Sequence, residues 1–186
     1  MQIVKIFNYC QKIKISVMKQ TLTNRSFSKE NDLLEYIQIG GVLDLHFQNC
    51  ELKDLDLTAD SVYRCKFENS KFTTVSFRKS EMHDLHFENC TFSKVNFGRI
   101  EGVNLTFQNC QFVETDFTGG ELQNCNFEKC HFLKTNFKSL DLVNCHLKRF
   151  TQDSCQLDNL LVDNVVFESE TVQDSKRLIE LLQNNF

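Results

Sequence analysis

The sequence predicts an all-β solenoid, a four-sided β-helix of about six coils with 20 residues in each. From Leu45 to Ser169 the chain can be written as 25 units of five residues. The third place of a unit is Phe, Leu, Val or Met in 23 of them, and only Gly102 and Gln152 depart from this rule. The first place mostly holds Cys, Leu, Val, Ile, Thr or Ser, and the other three places are polar. Because this five-residue pattern stays in phase over so many units, it indicates a repeat array.

A period of five residues fits neither a regular helix nor a straight strand. On a helix, five residues advance the side chain by roughly 140°, so no apolar stripe forms. On a strand, the first and third places point to the same side, but the next unit then starts out of phase. The chain must therefore turn a corner after each unit, so that the first and third places always point inward. Asn at the fifth place of many units is read as part of these corners, because Asn tolerates turn conformations.

A second period of 20 residues gives the number of sides. Similar units recur at residues 46–50, 66–70, 86–90, 106–110 and 126–130. Since 20 residues are four units of five, one coil has four sides, and each side recurs one coil later. Stacked coils are expected about 4.8 Å apart, which is the spacing between neighbouring strands. The predicted core is a continuous internal stack along a rod.

These units, with Phe or Leu at the centre and a small residue two places before, resemble the pentapeptide-repeat family. The resemblance covers about two-thirds of the chain, the part from Leu45 to Ser169. It implies a right-handed four-sided β-helix. The first place here holds Cys, Leu or Val where the family usually has Ala, which predicts a fuller core.

Three segments are expected: an N-terminal extension and cap over residues 1–41, the β-helix over 42–169, and a C-terminal helix over 170–186. The cap is predicted as a short helix that follows Ser28 and ends at Gly40 and Gly41. It would cover the open edge of the first coil. Met18 is an alternative start, and Val42 is read as the centre of a first, imperfect unit.

The C-terminal helix is predicted to start at Thr171, which has Asp174 three residues later. Its apolar side is formed by Val172, Leu178, Ile179, Leu181, Leu182 and Phe186. Two roles stay open for this helix, a cap on the last coil or a homodimer contact. The resemblance implies both, because in relatives that bind topoisomerases a C-terminal helix commonly does both.

The two departures at unit centres have structural interpretations. Gly102 is expected to leave a gap between Met82 and Leu122 in one inner column. Gln152 places an amide in the core, where it needs hydrogen-bond partners. We expect Phe150 to take the core position in a locally distorted coil; a bulge that presents a loop to a partner is the alternative.

The sequence offers no enzyme, cofactor or metal signature. An array of this kind points polar residues outward and fills its inside with Phe, so catalysis is not expected. Eight of the nine cysteines occupy the inward first place, without zinc spacing: Cys50, Cys65, Cys90, Cys110, Cys125, Cys130, Cys145 and Cys155. We read them as free, buried thiols in a reducing cytoplasm. No apolar run is long enough for a membrane helix, and no secretory signal stands out.

Negative charge is concentrated on one side of the predicted coil. The units at 60–64, 80–84, 100–104, 120–124, 140–144 and 160–164 form this side, which has no Phe centre. Its charged residues are Asp60, Glu81, Asp84, Glu101, Glu121, Asp141 and Asp163, against Arg64 alone. Glu81, Glu101, Glu121 and Asp141 share one place and should form a ladder of like charges about 4.8 Å apart.

The acidic side is either a solvated face or a docking surface for a basic groove. An anionic face repels nucleic acid, so direct nucleic-acid binding is not expected. The resemblance implies a partner, because several pentapeptide-repeat proteins bind DNA gyrase or topoisomerase IV as duplex-like rods. The sequence lacks the long loop insertion that some quinolone-resistance members use. We therefore expect a non-enzymatic protein-binding rod that modulates a type II topoisomerase, or alternatively a general scaffold or secreted bacterial effector.

Overall fold

The computed structural model describes residues 20–28, 37–38 and 41–184 of the chain. Residues 29–36 of the predicted N-terminal helix, the alternative start at Met18 and the last residue, Phe186, lie outside the described residues. The expected end of that helix is wrong, because Ile37–Gln38 is a strand. What is described is a β-solenoid of about six coils with stacked parallel sheets and a C-terminal helix, so the predicted fold class is confirmed. The strands are short because each occupies one side of a coil between two corners.

Three sides of the coil are sheets, which we call A, B and C, and their strands pair in parallel except for one terminal antiparallel pair in each of A and C. In the described residues sheet A has nine strands: Gln20–Thr23, Leu45–Gln48, Lys66–Glu68, His86–Glu88, Thr106–Gln108, Asn126–Glu128, His146–Lys148, Val165–Phe167 and Glu170–Val172. Sheet B has seven: Ser26–Ser28, Glu51–Lys53, Lys71–Thr73, Thr91–Ser93, Gln111–Val113, His131–Leu133 and Thr151–Asp153. Sheet C has eight: Ile37–Gln38, Gly41–Leu43, Ser61–Tyr63, Glu81–His83, Glu101–Val103, Glu121–Gln123, Asp141–Val143 and Leu161–Asp163.

The fourth side, which we call side D, is a column of single bridges instead of a sheet. These bridges join Asp56, Ser76, Asn96, Asp116, Asn136 and Gln156 in successive coils. A tight turn follows each bridge; in one of them the amide of Ser80 donates to the carbonyl of Phe77 at 3.1 Å. The chain passes through A, B, D and C in turn, so sheet C lies opposite sheet B.

The corners are made by a left-handed backbone at the fifth place of each unit. Every fifth place from Asn49 to Asn164 has a positive φ, between 49° at Asn69 and 64° at Gly119. Asn and Gly suit this conformation, but Thr74 and Glu114 adopt it as well, with φ of 55° and 53°. The amide of a corner residue donates to a carbonyl of the next coil, as Thr74 does to Ser93 at 2.9 Å. The left-handed backbone conformation therefore depends on the position in the unit and not on the presence of Asn.

The core consists of three stacks of Phe rings that run along the rod. On sheet A the rings of Phe67 and Phe87 have centroids 4.9 Å apart, and Phe87 and Phe107 follow at 4.8 Å. The stacks of sheet B and side D have similar spacing. This ring spacing equals the strand spacing, because side chains at one place of the unit lie directly above one another. Burial of these rings is the main source of stability.

The sheets begin upstream of residue 42, where the sequence analysis placed the start of the β-helix. Strand Gln20–Thr23 pairs in parallel with Leu45–Gln48, and Ser26–Ser28 pairs with Glu51–Lys53. Leu22 and Phe27 are buried at the unit centres of this first turn. Val42 is also buried and pairs with Val62, in keeping with its reading as a unit centre.

No gap forms at Gly102, contrary to the expectation. A Cβ atom at this position would lie 2.6 Å from Cδ2 of Leu122 and 2.8 Å from Cδ1 of Leu105. These two side chains fill the space that a larger residue would take. Glycine is needed here because the neighbouring leucines already complete the packing.

The coil at Gln152 keeps its register, so neither the distorted coil nor the bulge is present, but Phe150 takes the core position as expected. Strand Thr151–Asp153 pairs in register with His131–Leu133, and the ring of Phe150 stacks on Phe132 with centroids 4.5 Å apart. The buried Gln152 amide donates from Nε2 to the carbonyl of Leu182 at 3.3 Å. Its Oε1 accepts from the amide of Cys155 at 3.3 Å. The side chain thus connects the last coil to the C-terminal helix.

The C-terminal helix runs from Ser175 to Asn184 and covers the end of the last coil. Leu178 and Leu182 are buried against the core. The helix N-cap is Asp174, not Thr171, because Oδ1 of Asp174 accepts from the amide of Lys176 at 2.9 Å. The cap role of the helix is therefore present in the fold.

Val172 does not belong to the helix, contrary to the sequence assignment. It lies in strand Glu170–Val172, which folds back antiparallel on Val165–Phe167 and closes the edge of sheet A. The β-branched side chain is buried at the end of the core, where it pairs with Val165.

Thr74 gives a direct test of the corner. A β-branched residue in the left-handed region is strained, whereas Asn is tolerated there. Thr74 is exposed, so Thr74→Asn changes little else. We expect the variant to unfold at a temperature about 2–4 °C higher, for a gain of about 1 kcal/mol, as measured by thermal denaturation. The reverse change, Asn159→Thr at an exposed corner with φ of 54°, should lower the unfolding temperature. A shift of the unfolding temperature in the same direction in both variants would contradict the account.

Candidate functional site

The outer face of sheet C carries the predicted ladder of carboxylates. Parallel pairing places Glu81 beside Glu101, Glu101 beside Glu121, and Glu121 beside Asp141. All four occupy the second place of their units, so their side chains point outward from neighbouring strands about 4.8 Å apart. Ser61 precedes the ladder in the same column and Leu161 follows it. We call Glu81, Glu101, Glu121 and Asp141 the acidic ladder.

The acidic ladder has no cation bound to it within the described part of the chain. The three glutamates are exposed and Asp141 is half-buried. None of the four carboxylates forms an ion pair with a described Lys, Arg or His. Like charges on adjacent strands repel, so the ladder lowers the stability of the fold. A cationic partner would remove this repulsion.

Tyr63 extends the site at the N-terminal end of the ladder. Its hydroxyl donates to Oε2 of Glu81 at 2.6 Å, and its ring lies 5.1 Å from that of His83. Partial burial, followed by the hydrogen bond to Glu81, raises the pKa of Tyr63 above its usual value. The sequence analysis missed Tyr63. Its position was a signal, because the fourth place of a unit points outward.

Three other predicted acidic residues lie outside the ladder. Asp60 occupies the inward first place and is half-buried. Asp84 is a corner residue with φ of 56°, and its Oδ1 accepts from Nδ2 of Asn104 at 2.8 Å. Asp163 occupies the fourth place of the last strand, beside Val143. The structure therefore brings together four of the seven predicted side chains in one column.

Cations lie at the corners that flank sheet C. Lys79 and Arg99 are corner residues between side D and sheet C, with φ of 60° and 57°. On the corner toward sheet A, Arg64 binds Asp44 through two hydrogen bonds of 2.7 Å. These cations border the face without pairing with the ladder, so they limit the width of the negative surface to one column.

Sheet A shows the contrasting arrangement, in which acids and cations alternate. Nζ of Lys66 pairs with Glu68 and lies 3.6 Å from Oε2 of Glu88. Nε2 of His46 lies 3.0 Å from Oε2 of Glu68. The Lys66 ammonium, more than any other group, lowers the pKa of Glu68. The sheet A face is therefore locally neutralised, unlike the acidic ladder.

The C-terminal end of the rod is less completely covered than the rest of the core. Leu161 is 59% exposed, the one exposed large apolar side chain among the described residues. The partly buried apolar residues that pack against the core are all at this end: Cys155, Leu157, Val162, Ile179 and Leu181. We call these six residues the end patch. These residues lie on side D, on sheet C and on the C-terminal helix.

Two cavities in the described residues differ in kind, since one is small and apolar and the other is shallow and polar. An apolar cavity of about 20 Å³ lies between Phe150, Leu157 and Leu182. A shallow polar depression of about 460 Å³ lies near Asn49, Asn69 and Lys71. Nowhere in the described ranges are three His, Cys, Asp or Glu side chains grouped to hold a metal ion. Nor does that part of the chain contain a helix with the length and apolarity needed to cross a membrane.

The eight described cysteines are free thiols, and seven of them are buried. They act as inward-pointing core residues whose Sγ atoms donate to backbone carbonyls. One example is Cys145, which donates to the carbonyl of Leu122 at 3.3 Å. Burial raises the pKa of Cys65 to about 12. These thiols serve packing and hydrogen bonding of the coils.

Comparison with sequence profiles identifies the repeat. A profile described as a pentapeptide repeat region matches residues 43–119, and one described as pentapeptide repeats in eight copies matches residues 110–149. Together these matches cover more than half of the chain. The search of curated proteins returns no match.

Solved structures give more distant similarities. Full-length QnrB1, a plasmid-mediated fluoroquinolone resistance protein, is 13% identical over 89% of this chain and 96% of its own, with a TM-score of 0.42. HetL, a pentapeptide repeat protein involved in heterocyst differentiation regulation from the cyanobacterium Nostoc sp. strain PCC 7120, is 7% identical. That match covers 94% of this chain and all of HetL, with a TM-score of 0.25.

Neutralising the middle of the ladder should stabilise the protein. Glu101 lies between Glu81 and Glu121, so Glu101→Gln removes two repulsive contacts. We expect the free energy of unfolding to rise by about 0.5 kcal/mol at low salt, measured by urea denaturation. The gain should shrink in 1 M salt, where charges are screened within about 3 Å.

The control for this change is Glu128→Gln on sheet A. Glu128 lies between Gln108 and Lys148, so its removal relieves no like-charge contact. This variant should show no gain at low salt. A loss of stability in Glu101→Gln, or the same gain in both variants, would contradict the repulsion.

Proposed function

Because the chain belongs to the pentapeptide-repeat family, we propose that it is a non-enzymatic protein-binding rod that modulates or protects a type II topoisomerase. The partner would be DNA gyrase or topoisomerase IV, and the acidic ladder would dock in a cationic groove of that enzyme. One observation carries the proposal: four carboxylates stand in register on one face without a described cation beside them. We place this activity in the cytoplasm, where the core thiols would stay reduced.

The ladder presents negative charge along the rod axis, as a nucleic-acid strand does along its own. Its carboxylates are about 4.8 Å apart, and strand phosphates are spaced about 3.4 Å along a duplex axis. When both strands are counted, a duplex carries about one negative charge per 1.7 Å of its axis. The ladder thus resembles a single nucleic-acid strand with more widely spaced charges. It would compete with DNA for a cationic groove, and the rod shape of the protein would contribute to the fit. The same charge opposes direct binding to nucleic acid.

Charge reversal of the ladder tests this function. The variant carries Glu81→Lys, Glu101→Lys, Glu121→Lys and Asp141→Lys in the full-length protein. If the unchanged protein alters supercoiling by gyrase or its inhibition by a quinolone, the variant should lose that effect. The measurement is a plasmid supercoiling assay over a range of protein concentrations.

The matched control reverses four acids on the opposite side of the coil, two in strands of sheet B and two at the corners that follow its strands. It carries Glu51→Lys, Asp54→Lys, Glu114→Lys and Asp153→Lys, with the same change in net charge. This control should keep the effect, because the ladder is intact. The proposal fails if the unchanged protein has no effect on either topoisomerase, or if both variants lose activity equally.

A general protein-interaction scaffold, or a secreted bacterial effector, is the second candidate. The end patch supports it, since incompletely covered apolar residues are typical of protein contacts. One partner for the end patch would be a second copy of the chain, which would form a homodimer through the C-terminal helix. A pull-down that returns a partner without a nucleic-acid groove would favour this candidate over the first.

The homodimer is tested by its mass. Light scattering of the full-length protein should give twice the chain mass of 21.8 kDa. Leu161→Lys places a charge in the end patch, so this variant should be monomeric. Gln123→Lys, on an exposed position of sheet C, is the control and should stay dimeric. A monomeric mass for the unchanged protein would exclude the homodimer.

A further inference from the structure

Two inner columns of the rod place cysteines of successive coils directly above one another. These are Cys90, Cys110 and Cys130 in one column, and Cys125 and Cys145 in the other. The backbone fixes the stacking, because the residue after each later cysteine donates to the carbonyl of the earlier one, as His146 does to Cys125 at 2.8 Å. All five thiols are free and at most 1% exposed. The core therefore contains neighbouring thiols that the proposed function does not use.

The sulfur atoms of a column have the same orientation in every coil. Sγ of Cys145 donates to the carbonyl of Leu122 at 3.3 Å. Sγ of Cys125 makes the equivalent contact one coil earlier, to the carbonyl of Gly102 at 3.7 Å. The three thiols of the other column repeat this contact at 3.4 to 3.5 Å. Because the same contact recurs in each coil, neighbouring sulfurs are separated by the coil spacing of about 4.8 Å.

This separation selects the chemistry that can join two sulfurs. A disulfide bond is about 2.05 Å long, so it would pull neighbouring coils together. A metal–thiolate bond is about 2.3 Å long in zinc sites, so an ion in line between two sulfurs needs about 4.6 Å. The coil spacing therefore suits a linear, two-coordinate ion without movement of the backbone. Zinc itself takes four ligands, and the described residues offer no group of even three.

The surroundings of the thiols select the charge of the ion. The cysteines belong to a core of Phe, Leu and Val side chains, where an uncompensated charge is costly. A divalent ion with two thiolates is neutral, and the two thiol protons leave for solvent. A monovalent ion with two thiolates would leave a buried negative charge. Soft sulfur ligands prefer soft ions, and mercuric ion is the soft divalent ion that favours two sulfurs in line.

We propose that each column binds one mercuric ion between two stacked thiolates. In one column the ligands are Cys125 and Cys145. In the other, Cys110 pairs with either Cys90 or Cys130. The ion enters when a coil opens locally, because the thiols are buried. The site lies inside the rod, so it is independent of the acidic ladder and of any topoisomerase.

Retention of the metal tests the site in the full-length protein. The reduced protein is refolded from urea with mercuric ion and an excess of glutathione, which removes the ion from isolated cysteines. Two stacked thiols act together at a high effective concentration, so they should keep the ion. We expect two ions per chain by elemental mass spectrometry after gel filtration. X-ray absorption should show two sulfurs at about 2.3 Å from each ion.

The test variant carries Cys110→Ser and Cys145→Ser, which leaves no two stacked thiols in the described part of the chain. Ser fits this place, because buried Ser70 occupies the column of Cys110 and donates to the carbonyl of Glu68 at 2.9 Å. The variant should retain no ion. Cys145→Ser alone should retain one ion, which gives the same test if the double variant fails to fold.

The matched control carries Cys50→Ser and Cys65→Ser. These two buried thiols have Ser70 and Leu85 as their neighbours in the next coil, so the control loses as many thiols but no stacked pair. It should retain two ions, and the bound ions should raise its unfolding temperature as they do for the unchanged protein. Equal retention by the two double variants, no ion in the unchanged protein, or its failure to refold with the ion would overturn the proposal.

Discussion

A left-handed backbone at every fifth residue turns the chain at each corner of the coil. Without it, a unit of five residues would present its apolar side chains to alternate faces. The conformation is costly for most residues, about 1–2 kcal/mol for each, yet Thr74, Lys94 and Glu114 adopt it. Stacked coils compensate, because each corner amide finds a carbonyl in the next coil, as Lys94 does with Val113. The corners and the stacking therefore depend on each other.

Register follows from these corners, and function follows from register. Four units in each coil place residue i directly beside residue i+20, so every place becomes a column along the rod. Inside, the columns are stacked Phe rings; at one outer corner they are Asn side chains, with Nδ2 of Asn109 donating to Oδ1 of Asn89 at 2.7 Å. On sheet C the same rule aligns four carboxylates. The repeat geometry thus produces a regular, negatively charged face that a partner can bind. The proposed function depends on this charge.

Much of this architecture is readable from the sequence, because a periodic fold repeats its signal in every unit. The sides, the core and the alignment of Glu81 with Glu101 follow from the periods of five and 20 residues. The first turn at Leu22 and Phe27 was missed because residues 29–40 interrupt the pattern before the array resumes. The partner of Gln152 could not be predicted either, since Leu182 lies 30 residues further on and in a helix. The fit at Gly102 depends on how Leu105 and Leu122 orient, which periodicity does not specify.

The corner conformation is the claim on which the other conclusions depend, and NMR can measure it in solution. A left-handed residue brings its own amide proton close to its Hα, so it gives a strong nuclear Overhauser effect between the two. We predict strong effects at fifth places such as Thr74, Lys94 and Glu114, and weak ones at strand residues such as Phe92 and Phe112. Weak effects at these fifth places would show an extended backbone there and contradict the four-sided coil.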